Sequence, residues 1–440
     1  MITIEDLYKL YLSHPIVSTD TRKLPEGCLF FALRGANFDG NKYAGAALEA
    51  GAAYAIIDEA DQLIDERTIL VPDALETLQL LAAHHRRALG IPVIAITGTN
   101  GKTTTKELTA AVLSQSYRLL YTEGNLNNHI GVPLTLLRLT SEHQLALIEM
   151  GASKPGDIAE LCAIAEPNYG LITNIGQAHL EGFGSLEGVR RTKGELYDSV
   201  RAREGILFYR EEDEVLRQMS LGTERISYGS SPEAYVQGLA SPSTGESLFL
   251  HFSWSCPILE MSPREVQTQL VGDYNLANAL AAIAIGLYFD VPSDKIDEAL
   301  TSYCPSNSRS QLIHSERGNQ IIADAYNANP SSMRTALSNF LAIEPALRPR
   351  IVILGDMNEL GASSHEAHQE LYQKLSSTTT PPLEIYLCGP HWREELGDQP
   401  QVYPNVEELI AHIETHPITK SLILVKGSNS IHLGKLLPYL

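Results

Sequence analysis

An α/β protein of three domains is the fold that the sequence predicts, and three observations lead to it. The 440 residues are enough for about three separately folded units, at roughly 150 residues per domain. Apolar segments of strand length recur along the chain, each followed by a polar or glycine-containing turn, and helical stretches separate them. The pattern changes near Leu89 and again around the loop CPSNSRS, so we expect domains at residues 1–88, 89–304 and 305–440.

The first domain is expected to be a small α/β unit. It begins with a short helix, and the strand-like segments CLFFAL and AYAIID then alternate with an Ala-rich helical segment, AGAALEAGAA. Alternation of this kind over fewer than 90 residues favours a compact sheet with helices packed on it.

The central and C-terminal domains are each expected to contain a mainly parallel sheet with crossover helices. In the central domain the strands are IPVIAIT, LALIEM and YGLITNI, and residues 200–270, rich in Ser, Pro and Thr, are interpreted as a β-rich extension. In the last domain four expected strands alternate with helices, which predicts a Rossmann-like fold. These strands are QIIADAY, RIVILGD, LEIYLCG and SLILVKG.

Charge and composition exclude several classes of partner. The formal net charge of -20 disfavours binding of nucleic acid or of an anionic membrane surface. No apolar segment is long enough to span a bilayer, no signal segment follows the acidic start, and the five cysteines show no CxxC spacing. We therefore expect a cytoplasmic protein with reduced thiols and no membrane insertion, and, without an obvious interface run, a monomer.

A phosphate-binding loop is predicted where the first central strand ends. In IPVIAITGTNGKTTTKEL, Gly98 and Gly101 allow close backbone approach to a phosphate, and the following helix start supplies free N–H groups. Lys102 is placed to reach the outer phosphates and Thr103 to offer its hydroxyl to Mg²⁺. The spacing departs from the general phosphate-loop pattern, because Ile96 occupies the position of the first glycine. The alternative is a tight turn with a surface lysine.

Glu149 is the first candidate metal ligand. It ends the strand LALIEM, and ligands collect at the carboxyl ends of parallel strands. A carboxylate there suits the hard Mg²⁺ ion, although a solvated residue at a strand end fits the sequence equally well.

The run TGTNGKTTT resembles the nucleotide loop typical of the Mur ligase and folylpolyglutamate synthetase superfamily. The resemblance implies a P-loop ATPase-like central domain that binds ATP and Mg²⁺. By this resemblance His179, in AHLEGFGS, is a metal ligand, and Lys193, in RTKGELYD, is carbamylated by CO₂ and helps to hold a second metal. Without the resemblance, His179 would be interpreted as structural and Lys193 as a surface lysine.

Further motifs extend the resemblance along the chain. GDYNLANALAA resembles a family segment near the adenine, with Tyr274 in place of the usual histidine, and SNSRSQ places Arg309 where the family has an arginine suited to the γ-phosphate. The implied catalytic residues are Lys102, His179, Lys193 and Arg309. The implied metal ligands are Thr103, Glu149, His179 and Lys193. The implied nucleotide-binding residues are Gly98, Thr99, Asn100, Gly101, Lys102, Thr103, Thr104, Asn275, Asn278, Arg309, Asp324 and Asn327.

Four segments resemble those of the Mur ligase branch that adds D-alanyl-D-alanine to UDP-N-acetylmuramoyl-tripeptide. They are STDTR, ALRGANFDG, DAYNANPSSM and LGDMNELG. The resemblance implies that the first domain binds the uridine nucleotide and that the tripeptide carboxylate is activated as an acyl-phosphate. NLNNHIGVP resembles a loop that lines the substrate cleft, although its asparagines could instead cap a helix near Pro133. The implied substrate residues are Ser18, Thr19, Arg22, Arg34, Asn37, Asp39, Gly40, Asn127 and Asn128.

Three other functions stay open at this point. A Mur-type ligase that adds the third residue would normally carry DNPR in its last domain, which is absent here. A folylpolyglutamate synthetase would lack the roughly 90 residues that precede the loop. A nucleotide-dependent switch selective for guanine would carry NKxD, which does not occur between the loop and Asn275. The sequence does not identify the general base that would accept the proton of the attacking amine, and Asp324 and Glu359 are among the candidates. It also does not identify the third residue of the tripeptide.

Overall fold

The computed structural model describes residues 2–35, 38–177, 180–241, 248–306, 309–343, 348–377 and 383–440. Three main sheets succeed one another along these residues, of four, nine and six strands. Most neighbouring strands in all three are parallel, with helices between them in sequence, so the predicted α/β class is confirmed.

The N-terminal sheet is parallel, in the order β1-β2-β5-β6, and β3 and β4 form a separate two-stranded ribbon. Its longest helix, α3, begins where Asp73 accepts the Glu76 N–H at 2.8 Å and ends at Gly90, whose φ of 66° is left-handed. The elements are α1 (Ile4–Ser13), β1 (Val17–Ser18), β2 (Leu29–Phe31), β3 (Arg34–Gly35), β4 (Phe38–Asp39), α2 (Ala44–Glu49), β5 (Tyr54–Ile57), β6 (Thr68–Leu70) and α3 (Ala74–Leu89).

The central sheet has the order β15-β14-β13-β12-β11-β10-β7-β9-β8. It is parallel from β8 to β13, and β14 and β15 extend it antiparallel, which gives the predicted β-rich extension its place at one edge of the same sheet. The elements are β7 (Val93–Thr97), α4 (Lys102–Leu113), β8 (Leu119–Tyr121), α5 (Gly131–Leu136), β9 (Leu145–Glu149), α6 (Asp157–Ala165), β10 (Tyr169–Ile172), α7 (Leu180–Phe183), α8 (Leu186–Arg201), β11 (Ile206–Arg210), α9 (Glu214–Met219), β12 (Glu224–Gly229), β13 (Val236–Ala240), β14 (Phe249–Ser255), β15 (Arg264–Val271), α10 (Leu276–Tyr288) and α11 (Ser293–Ser302).

The C-terminal sheet has the order β16-β17-β21-β18-β19-β20 and is parallel except at β16. Strands β17, β21 and β18 are almost fully buried, as expected for a sheet covered by helices on both faces. The elements are β16 (Gln311–His314), β17 (Gln320–Asp324), α12 (Pro330–Ala342), β18 (Arg350–Gly355), α13 (Ser364–Ser376), β19 (Leu383–Cys388), α14 (Pro390–Leu396), β20 (Val402–Tyr403), α15 (Val406–Thr415) and β21 (Leu422–Lys426).

The hydrophobic cores join the three sheets unequally. One buried cluster contains Leu7 and Leu78 of the N-terminal unit together with Val93 and Leu136 of the central unit. Arg86 in α3 adds hydrogen bonds of 2.9 Å to the carbonyls of Ala165 and Glu166. The C-terminal sheet instead has two clusters of its own, and the central sheet contributes buried Val271 and partly buried Phe249 to one of them. The N-terminal unit is therefore packed firmly on the central one, and the C-terminal unit much less so.

No helix within the described ranges combines the length and the apolar character that a membrane span requires.

Candidate functional site

A cleft of about 910 Å³ lies between the central and C-terminal sheets. Its walls come from the loops after β7, β9 and β10, from the start of α10, and from the loops and helix that follow β17 and β21. The sequence-predicted residues that line it are Thr99, Asn100, Gly101, Lys102, Thr103, Thr104, Asn127, Asn128, Glu149, Asn275, Asn278, Arg309, Asp324, Asn327 and Glu359, whereas Gly98 and Lys193 are not among the lining residues. The fold thus brings together side chains from positions more than 200 residues apart.

The predicted phosphate loop is built tightly around two glycines. A Cβ on Gly98, at φ 143°, would lie 2.0 Å from Thr173 Oγ1, and one on Gly101, at φ 79°, would lie 2.7 Å from Asn278 Oδ1. Both positions combine a left-handed backbone with no room for a side chain, so glycine is required at each. The loop is held against β10 and α10 and leads directly into α4.

Lys102, the first residue of α4, folds back over its own loop. Its Nζ donates to the carbonyls of Gly98 at 2.8 Å and Thr99 at 3.1 Å. Burial lowers the pKa of this ammonium group, and the Glu149 carboxylate acts in the opposite direction. The alternative of a simple surface lysine is wrong, because Lys102 is half-buried in the cleft.

Glu149 ends β9 with only 1% of its surface exposed. Its Oε1 accepts from Thr103 Oγ1 at 3.2 Å and from Asn127 Nδ2 at 2.8 Å, whereas the buried Oε2 has no hydrogen-bond partner among the described residues. A buried carboxylate oxygen without a partner is costly in isolation, and a cation beside it would remove that cost. The interpretation of Glu149 as a solvated residue is therefore wrong.

The residues around Glu149 fit Mg²⁺, which keeps water and phosphate ligands, better than a metal ion whose ligands are mainly protein side chains. Among the described residues, no group of three or more His, Cys, Asp or Glu side chains is arranged to hold a metal. Mg²⁺ commonly takes one or two carboxylates and fills its other positions with water and substrate phosphates. His179, the predicted imidazole ligand, lies outside the described residues.

Lys193 is buried in α8, where 3% of its surface is exposed, and the interpretation as a surface lysine is wrong. Its Nζ lies 5.6 Å from the centre of the Phe183 ring. Burial, with a further contribution from the Lys102 charge, lowers the pKa of Lys193 to about 7. A large fraction of this amine is therefore uncharged near neutral pH.

Tyr274, just before α10, is hydrogen-bonded to the linker, the segment between α11 and β16 that connects the central and C-terminal sheets. The Tyr274 hydroxyl shares a 2.7 Å hydrogen bond with Ser310 Oγ, and burial raises the pKa of Tyr274. Asn275 Oδ1 accepts from Asn278 Nδ2 at 3.0 Å, and Asn278 Oδ1 accepts from Thr105 at 3.0 Å. These amides hold α10 against α4 as well as lining the cleft.

Arg309 reaches the cleft from the linker. Its guanidinium carbon lies 3.7 Å from the centre of the Tyr326 ring, and its buried Nε has no hydrogen-bond partner among the described residues. Stacking on an aromatic ring orients a guanidinium group while leaving its N–H donors available to an anion.

Several cleft residues were not identified from the sequence. Lys426 ends β21 with 3% of its surface exposed, and its Nζ donates to Asp324 Oδ2 at 2.6 Å and to the Asn327 carbonyl at 3.2 Å. Its place at the carboxyl end of a parallel strand was a signal that could have identified it. Tyr326 and Asn174 also line the cleft, and their roles depend on contacts between distant segments.

The asparagines of NLNNHIGVP have different local roles. Asn127 binds Glu149, whereas Asn128 Oδ1 accepts the N–H groups of Ile130 at 3.1 Å and Gly131 at 2.8 Å. The helix-cap alternative thus describes Asn128 but not Asn127, although both line the cleft.

The remaining predicted substrate residues lie in the N-terminal domain, outside this cleft. Arg34 pairs with Asp58 at 2.7 Å, and Gly40 is required by packing, because a Cβ there would lie 2.6 Å from the Leu33 carbonyl oxygen. Asn37 is outside the described residues. The other members of this set are Ser18, Thr19, Arg22 and Asp39, and their substrate role stays a prediction.

Comparison with known proteins gives a match over all three parts of the chain. The model of the Mur ligase family catalytic domain matches residues 15–94, the Mur ligase middle domain matches 96–286, and the Mur ligase glutamate ligase domain matches 308–429. These matches confirm the fold predicted from the sequence.

Individual relatives match over most of their lengths. The UDP-N-acetylmuramoyl-tripeptide–D-alanyl-D-alanine ligase of Bacillus subtilis is 33% identical over 96% of this chain and 92% of its own. The ligase of that name from Escherichia coli is 38% identical over 81% and 77%. The crystal structure of MurF ligase from Thermotoga maritima in complex with ADP covers 97% of both chains at 25% identity, with a TM-score of 0.83. The resemblance seen in the sequence is confirmed, and the chain belongs to the Mur ligase family.

Proposed function

We propose that this chain is an ATP-dependent ligase that joins D-alanyl-D-alanine to UDP-N-acetylmuramoyl-tripeptide, in peptidoglycan synthesis. The observation that carries the proposal is the cleft itself, where a phosphate loop, a buried carboxylate and an oriented arginine meet between two domains. Relatives bearing this ligase name, at 33% and 38% identity, supply the substrate class.

The reaction has two steps. A carboxylate oxygen of the tripeptide attacks the γ-phosphorus of ATP, ADP leaves, and an acyl-phosphate forms. The uncharged amine of D-alanyl-D-alanine then attacks the acyl carbon, the bond from that carbon to the phosphate oxygen breaks, and the amide forms as inorganic phosphate and one proton of the amine leave. The two steps together are easier than direct condensation, because ADP leaves readily in the first and the acyl carbon loses phosphate, a far better leaving group than hydroxide, in the second.

The chain's own residues position and neutralise charge in this scheme. The N–H groups at the start of α4 and the Lys102 ammonium bind the phosphates, and the Arg309 guanidinium binds the transferring phosphoryl group. Glu149 and Thr103 would hold Mg²⁺, which neutralises phosphate charge when bound. Lys193, as a carbamate, would contribute a second anionic group.

The test of this function is phosphate release with each substrate supplied alone and together. We expect strong stimulation only when ATP, UDP-N-acetylmuramoyl-tripeptide and D-alanyl-D-alanine are all present, with a product of the mass of the pentapeptide precursor. Parallel reactions with diaminopimelate- and lysine-containing tripeptides would identify the third residue. Equal release without the two acceptor substrates would favour a nucleotide switch, and extension of a dipeptide precursor or of folate would favour the other two ligases.

Carbamylation of Lys193 predicts a pH-dependent effect of CO₂. Because the pKa of Lys193 is lowered to about 7, its amine is protonated below pH 7 and increasingly neutral above it. Only the neutral amine attacks CO₂, so bicarbonate should restore CO₂-depleted enzyme severalfold at pH 8 and little at pH 6. A carbamate resonance from ¹³C-bicarbonate should appear in the wild type and be absent in Lys193→Ala. No resonance and no effect of bicarbonate at pH 8 would contradict the carbamate.

Cytoplasmic location and a monomeric state stay predictions, and a sedimentation measurement tests the latter.

A further inference from the structure

The phosphate loop is hydrogen-bonded directly to the C-terminal domain. Asn329 Nδ2, at the N-terminus of α12, donates to Asn100 Oδ1 in the loop at 2.7 Å. The two residues are 229 positions apart, and Asn329 is only 4% exposed. The bond therefore joins two domains at the point where the nucleotide phosphates are expected.

Asn100 is held rigidly on its own side of this contact. Its N–H donates to Asn174 Oδ1 at 3.0 Å. Its carbonyl accepts from Thr173 Oγ1 at 2.6 Å and from Asn174 Nδ2 at 2.9 Å. With the backbone fixed by the loop after β10, the side-chain oxygen of Asn100 is presented to the C-terminal domain.

Asn329 uses the two halves of its amide for different purposes. Its Oδ1 accepts the Ser332 N–H at 2.9 Å and its own N–H donates to Ser332 Oγ at 3.1 Å, which completes a capping box on α12. Its Nδ2 makes the bond to Asn100. Reversing the amide would place a donor against the Ser332 N–H, so the cap fixes this orientation and leaves Nδ2 facing Asn100.

A second close contact lies beside this bond. A Cβ added to Gly176 would lie 3.3 Å from Ser331 Oγ and 3.5 Å from Thr99 Cγ2. The Gly176 N–H donates to Thr99 Oγ1 at 2.9 Å, so this segment is itself part of the loop's support. The first turn of α12 is thus packed on the phosphate loop, and the hydrogen bond is formed within a fitted surface.

We propose that Asn329 is a positioning residue that docks the C-terminal domain onto the phosphate loop and thereby couples nucleotide binding to domain docking. The proposal rests on the nucleotide binding of the proposed function. Because coupling between two equilibria is reciprocal, if docking strengthens nucleotide binding then nucleotide binding strengthens docking by the same factor. A change that weakens docking lowers the docked fraction, and with it the apparent nucleotide affinity, by at most the factor by which docking is weakened. One neutral hydrogen bond of this kind corresponds to about a three- to tenfold change in affinity.

Asn329→Ser separates docking from helix capping. Serine caps a helix nearly as well as asparagine but is too short to reach Asn100, so the melting temperature should stay within about 2 °C of the wild type. Affinity for a non-hydrolysable ATP analogue, measured by calorimetry, should fall about three- to tenfold. The decrease in radius of gyration on saturation with the analogue, measured by X-ray scattering, should also become smaller. Asn329→Ala, which loses the cap as well, should show the same loss of affinity and a lower melting temperature.

The matched control is Asn405→Ser, since Asn405 caps α15 by accepting the Glu408 N–H at 2.9 Å and does not line the cleft. It should leave affinity and compaction unchanged. Asn100→Ala combined with Asn329→Ser should weaken binding no more than the stronger single variant, because both remove one bond.

Unchanged affinity and compaction in Asn329→Ser, or additive effects in the double variant, would overturn the coupling. These measurements require neither acceptor substrate. A wild type that fails to bind the analogue would overturn the proposed function, whereas normal binding by both wild type and Asn329→Ser would overturn only this inference.

Discussion

Replacing Lys102 with methionine should lower kcat by about 100- to 1,000-fold, the usual cost of removing one group that stabilises charge in the transition state. Methionine keeps the length of the side chain but removes the ammonium group that now donates to the Gly98 and Thr99 carbonyls. The loop geometry depends mainly on Gly98 and Gly101, so folding should be retained. Phosphate release with both acceptor substrates present measures the effect.

Lys295→Met is the control for this change. Lys295 lies on the surface of α11 and is 50% exposed in an ion pair with Glu298, so its loss should leave kcat unchanged. A Lys102→Met enzyme with at least one third of the wild-type kcat and normal ATP affinity would show that Lys102 does not act on the phosphates.

Replacing Glu149 with glutamine should decrease activity by about 100-fold or more while leaving thermal stability unchanged or higher. The variant keeps the size of the side chain and the acceptor for Thr103 and Asn127, but it removes a buried negative charge whose Oε2 has no hydrogen-bond partner among the described residues. Loss of activity without loss of stability is what a carboxylate that serves a cation predicts. Kinetics over a range of Mg²⁺ concentrations, together with a melting curve without Mg²⁺, measure the two effects.

A matched carboxylate for comparison is Glu123, which is 62% exposed and pairs with Arg138 at 2.6 Å. Glu123→Gln should change neither activity nor its Mg²⁺ dependence. If Glu149→Gln instead lowers the melting temperature strongly and leaves activity in the surviving protein intact, Glu149 is a structural residue and the magnesium proposal fails.

The sequence predicts the fold well where local patterns determine it. The strand before the phosphate loop, the loop and the start of α4 occupy one continuous segment, so strand periodicity, glycines and helix start occur together in the sequence. Glu149 is predictable for a similar reason, because it follows an apolar strand and carboxyl ends of parallel strands share one edge.

Contacts between distant segments are what the sequence does not show. Burial of Lys193 depends on how α8 packs, and spacing alone favours a surface position for a lysine in a polar helix. The Asp324–Lys426 pair forms only because β17 and β21 are neighbours in the sheet, although their closest ends are 98 positions apart in the sequence. The bond between Asn329 and Asn100 crosses two domains, and either residue alone has an adequate local explanation.

The division of the cleft between two weakly joined domains has a consequence for inhibitors. A compound that contacts both the phosphate loop and α12 binds only molecules in which the domains are docked, so its apparent affinity is the intrinsic affinity multiplied by the docked fraction. A compound that contacts only residues of the central domain binds docked and undocked molecules alike, so its affinity is not reduced. It makes no contact with Tyr326, Asp324 and Lys426 of the C-terminal domain. Conditions that raise the docked fraction while leaving the phosphate loop free would favour compounds that bridge the two domains.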